Sequence, residues 1–91
     1  MLKYAYDTNL IEISETRNEE DVTFLIEVKS EEMRSRLKQV RAYFENNDDF
    51  TDAMFYSRKG AHYEVIVQND HYTEFLTQAF LYKCLESLAW E

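Results

Sequence analysis

The chain has 91 residues, a formal net charge of −8, one glycine, no proline and one cysteine. Such a length predicts a single domain, 1–91, able to bury roughly 60–65% of its unfolded surface, and 45% hydrophobic with 15% aromatic residues excludes wholesale disorder. No apolar run approaches the roughly 18 residues of a membrane span, the start Met-Leu-Lys-Tyr-Ala-Tyr-Asp lacks a signal peptide's apolar stretch, and the acidic balance argues against direct nucleic-acid binding, which needs a basic surface.

Leu2 to Tyr6 and Leu10 to Ser14 each suit a short strand, and Asp7-Thr8-Asn9 between them predicts a tight turn. The segment from Glu15 to Asp21 is polar throughout and reads as an exposed loop. Val22 to Lys29 alternates: Val22, Phe24, Ile26 and Val28 point one way, Thr23, Leu25, Glu27 and Lys29 the other. Leu25 breaks an otherwise polar outer face. Ser30 then caps a helix that carries Glu31 and Glu32 in its first turn, where the helix dipole favours acids. Met33, Leu37, Val40 and Phe44 form its apolar stripe, and it should stop near Glu45 or Asn46, ahead of the turn-forming Asn46-Asn47-Asp48-Asp49.

Asp52 to Ser57 and Ala61 to Gln68 read as a hairpin joined by Arg58-Lys59-Gly60, with the one glycine where a short turn needs positive φ. Tyr63, Val65 and Val67 should face inward. From Asn69 to Glu91 no proline or glycine intervenes, and a helix of roughly 20 residues, about 30 Å, is expected. Its first half has a stripe of Tyr72, Phe75, Leu76, Ala79 and Phe80. The second half turns a different face, Leu81, Cys84, Leu85 and Leu88. The order is β-β-β-α-β-β-α: an α+β fold with a mainly antiparallel sheet of about five short strands and both helices on one face.

Chemistry-bearing patterns are sparse. His62 and His71 lack metal-ligand spacing, so no zinc site is predicted. Asp48, Asp49 and Asp52 lack the glycine and distal glutamate of a calcium loop. Glycine loops for phosphate and nucleophile motifs are missing, and no cofactor is implied. The basic residues Arg34, Lys38 and Arg41 line one flank of the first helix, with Glu31 and Glu45 on the same side. Cys84, spaced with leucines, reads as a small buried apolar residue in a reducing cytoplasm.

These features predict a small cytoplasmic module that binds another protein. The second face of the terminal helix is expected to make a homodimer, with Leu81, Tyr82, Leu85, Leu88 and Tyr56 at the interface. Two alternatives follow from the charge and the histidines. One is an acidic nucleic-acid mimic that blocks a DNA- or RNA-binding protein. The other is a small enzyme with a pocket between protomers, using His62, His71 and Glu64.

Overall fold

A computed structural model describes residues 2–46 and 53–91. The order is β1 (Leu2–Ala5), β2 (Ile11–Arg17), β3 (Asp21–Val28), α1 (Glu31–Glu45), β4 (Ala53–Arg58), β5 (His62–Gln68), a 3-10 turn (Asn69–His71), α2 (Tyr72–Leu81) and β6 (Ser87–Trp90). The fold is α+β with two antiparallel sheets, a four-stranded one in the order β2-β3-β5-β4 and a two-stranded ribbon of β1 and β6. No helix among the described residues is long and apolar enough to cross a membrane. The acidic stretch Asp48, Asp49 and Asp52 lies outside the described residues, as does the expected start of the fourth strand at Asp52.

Alternation places the core. Val22, Phe24, Ile26 and Val28 of β3 and Tyr63, Val65 and Val67 of β5 are all buried, on one face of the sheet. Helix α1 lays Met33, Leu37, Val40 and Phe44 on that face. Its start is held by Ser30, whose hydroxyl accepts from the Met33 N–H at 3.0 Å. Helix α2 adds Phe75, Leu76 and Ala79. The ring of Phe75 stands 4.7 Å from Phe24, 6.1 Å from Phe44 and 6.2 Å from Phe55, so one side chain joins α2 to β3, α1 and β4. The β4–β5 turn uses positive φ at Gly60 (71°) and Ala61 (63°).

Three expectations are corrected. The terminal helix ends at Leu81, about half its expected length. Lys83 adopts φ 66°, its N–H donates to Phe80 O at 3.0 Å, and the Cys84 N–H donates to Ala79 O at 2.8 Å. These two bonds form a Schellman motif, with buried Cys84 and Ala79 as its apolar contact. Lysine stands where glycine is usual, so the stop leaves no mark in the sequence. Second, Leu2–Ala5 does not form a hairpin with Ile11–Arg17. Asp7 does make the turn, accepting from Leu10 N–H at 2.9 Å, but β1 pairs with β6, Tyr4 opposite Leu88. Third, the polar stretch from Glu15 begins as strand: β2 runs to Arg17 before the turn at 18–20.

The left-handed lysine should cost stability that glycine would return. Lys83→Gly is expected to raise the unfolding free energy by about 0.5–1 kcal/mol, and Lys83→Val to lower it by more than that. Urea denaturation of the three proteins checks both signs; a Lys83→Gly protein less stable than wild type would contradict the motif.

Candidate functional site on the outer face of the sheet

With both helices on the inner face, the outer face is left to the alternate residues. The strand register arranges them in three rows across β2, β3, β5 and β4: Thr16, Thr23, Ile66 and Met54; Ser14, Leu25, Glu64 and Tyr56; Glu12, Glu27, His62 and Arg58. Its centre is largely apolar, with Glu64 between Leu25 and Tyr56. Leu25 is 52% exposed, Met54 45% and Tyr56 42%, with Ile66 half-buried between them. Sequence alternation identified Leu25 as the break in a polar face, and Ile66, Met54 and Tyr56 now join it.

The charges around this centre are largely matched. Lys29 Nζ lies 3.3 Å from Glu12, the Arg58 guanidinium holds Glu64, and His62 Nε2 lies 3.9 Å from Glu27. His62 Nδ1 lies 3.0 Å from Lys59 O. A carbonyl only accepts, so Nδ1 carries the proton and Nε2 faces the carboxylate. An open depression of about 290 Å³ lies among Glu12, Leu25, Glu27, Arg58 and His62. Ser14 also lines it, but on β2, two strands from His62, about 10 Å at the usual strand spacing. No serine–histidine pair forms there.

The three proposed acid–base residues are not brought together. His62 begins β5, whereas His71 follows its end, about 20 Å further along the strand direction, where its Nδ1 meets Glu74 at 3.3 Å. Glu64 shares the outer face with His62 and is occupied by Arg58. Among the described residues no group of three His, Cys, Asp or Glu could hold a metal ion. The five expected interface residues are also dispersed. Leu85 (4% exposed) is taken up by the protomer's own core, because the chain leaves α2 at Lys83 and turns inward. Leu88 packs half-buried in the ribbon, opposite Tyr4. Leu81 (61% exposed) and half-buried Tyr82 belong to the helical layer, and Tyr56 to the opposite face.

A second cluster was missed. Glu15, on the inward side of the edge strand β2, accepts hydrogen bonds from the hydroxyls of Tyr4 and of Tyr72, the latter at 3.0 Å. The Arg17 guanidinium stands 4.7 Å from the centre of the Tyr72 ring. Strand, ribbon and helix are thereby tied through one carboxylate. The only signal was the alternation Ile11, Ile13, Glu15, Arg17, which continues in position but switches from apolar to charged. Burial, then the hydrogen bond and charge of Glu15, push the Tyr4 hydroxyl well above the ordinary phenol range. Burial and then the charge of Glu15 push Tyr72 up to about 12. Burial also pushes the Cys84 thiol up to about 12, leaving it a poor nucleophile.

No protein-family model matches the chain, and no curated protein or solved structure matches it. Function is therefore read from the geometry.

The raised phenols imply a pH dependence. Their protonated forms are favoured by the fold, so this contribution to stability is complete below the ordinary phenol value of 10.0 and is lost as pH rises from there towards about 12. Alkaline titration of tyrosinate absorbance should show a late component that Tyr72→Phe reduces. Glu15→Gln should bring the remaining late ionisation down towards pH 10. An unchanged titration in Glu15→Gln would remove the carboxylate as a cause.

Proposed function

We propose that the protein is a binding module for another protein, acts without a cofactor, and engages its partner through the outer face of the four-stranded sheet. The supporting observation is the exposed apolar group of Leu25, Met54, Tyr56 and Ile66, with Glu64 held by Arg58 in its midst and the Glu12–Lys29 pair at its border. A two-layer fold buries one sheet face and normally leaves the other polar. An apolar patch inside a polar rim is the composition of a contact surface, with tyrosine the favoured anchor.

The electrostatics suit this arrangement. Glu12, Glu27 and Glu64 face Lys29 and Arg58, so the contact face carries little of the −8. Acids gather elsewhere. The Asn69 N–H donates to Glu20 O and its side-chain amide to Glu19 O, which brings Glu19, Glu20 and Asp21 beside Asp70 at one end of the sheet. This negative end favours a partner with a basic surface and steers its approach, while the near-neutral centre spares both partners the desolvation of unpaired charge. The separation of His62 from His71 and from Ser14 gives the catalytic alternative no assembled acid–base or nucleophile pair, and no observation favours it.

A photo-crosslinking residue at Leu25 or Tyr56 should give one discrete protein adduct in the native cell, whereas the same residue at exposed Gln39 of α1 should not. With that partner purified, Tyr56→Ala should weaken binding by about 2 kcal/mol, roughly thirtyfold, at unchanged thermal stability. His62→Ala and His71→Ala should leave binding within about threefold. Adducts from Gln39 alone would move the site to the helical layer.

A further inference from the structure

The two edges of the four-stranded sheet are treated differently. The ladder phase follows from two bonds: the Val28 N–H donates to Ala61 O at 3.0 Å, and the Asn69 N–H donates to Glu20 O at 3.1 Å. In an antiparallel ladder these fix which residues of β5 face β3, and so which face β4. Met54, Tyr56 and Arg58 direct their backbone groups to β5. Ala53, Phe55 and Ser57 direct theirs to the free edge.

At the opposite edge, β2 is partly blocked. The Ile11 N–H is taken by Asp7 O at 3.1 Å, Ile13 O accepts from the Tyr6 hydroxyl at 3.0 Å, and Glu15 is an inward charge held by two tyrosines. Inward charges and covering segments are how edge strands are kept from pairing. The β4 edge has no such device among the described residues. A groove of about 360 Å³ runs along it, lined by Glu45, Ala53, Met54, Phe55 and Tyr56.

We propose that this edge is a homodimer interface, in which β4 of one copy pairs antiparallel with β4 of a second and joins the two sheets into one. The charges select the occupant. The strand starts beside Glu45, whose carboxylate also accepts from Arg41 at 3.0 Å, and runs out past Arg58, which holds Glu64, to Lys59. A second copy in parallel would set like charges together; an antiparallel copy sets Glu45 of each protomer towards the basic end of the other, twice by symmetry. With the two-fold axis at Phe55, Met54 stands opposite the partner's Tyr56 on the outer face, a sulfur–aromatic pair, and Ala53 opposite the partner's Ser57 on the inner side. The two apolar centres then become one continuous surface. The inference stands on the edge itself and does not require that the outer face bind a partner.

Light scattering at concentrations up to about millimolar tests it. Wild type should reach twice 11.0 kDa. Ser57→Pro deletes one outward N–H, leaves the bonds to β5 intact and alters an exposed side chain; it should stay folded by circular dichroism and remain at 11.0 kDa. Glu45→Lys and Lys59→Glu should each weaken the dimer about tenfold, and the double variant should restore it. A wild type that stays monomeric throughout overturns the proposal. So does a Ser57→Pro protein that dimerises as well as wild type, or a charge-swapped pair no better than its single variants.

Discussion

The packing of Phe75 is the contact on which the rest of the fold depends. Its ring meets Phe24, Phe44 and Phe55, which come from the centre of the sheet, the end of the first helix and the edge strand. Burying one such ring contributes about 1.5–3 kcal/mol, a sizeable part of the about 5–15 kcal/mol that hold a domain of this kind together. Because α1 and α2 must share this cluster, both lie on one face. A chain with only two helices among its described residues has none left for the other face, which stays open with Leu25, Met54, Tyr56 and Ile66 upon it.

The polar interactions complete what the aromatic packing begins. Glu15 sits at a position that an apolar residue would fill more cheaply, since a carboxylate taken from water must recover its hydrogen bonds. Two tyrosine hydroxyls supply them, one from the ribbon and one from α2. The arrangement anchors the ribbon to the sheet and places an inward charge on the β2 edge strand. Among the described residues the β4 edge shows no equivalent device.

Charge is distributed with the same asymmetry. The outer face sets Glu12 and Glu64 against Lys29 and Arg58, while the end that carries Glu19, Glu20, Asp21 and Asp70 is left negative. A near-neutral apolar centre can be desolvated at low cost. On the proposed reading, a distant acidic end would act over about 10 Å at moderate salt and would favour the approach of a basic partner.

Local patterns by themselves determined α1, β3 and the β4–β5 hairpin. The 3.6-residue stripe from Met33 to Phe44, the two-residue alternation from Val22 to Val28 and the single glycine at position 60 each express backbone geometry that a short window contains. Leu25 was legible as an anomaly for the same reason. The remaining features were settled by contacts between residues far apart in the chain. The helix stop at Lys83 is made by backbone bonds and a buried Cys84, with no glycine to announce it. The pairing of β1 with β6 joins the two ends of the described chain, and the tie of Glu15 to Tyr72 spans 57 positions. A charged residue at an inward position looks like a loop until the partner that satisfies it is known, and only the tertiary structure supplies that partner.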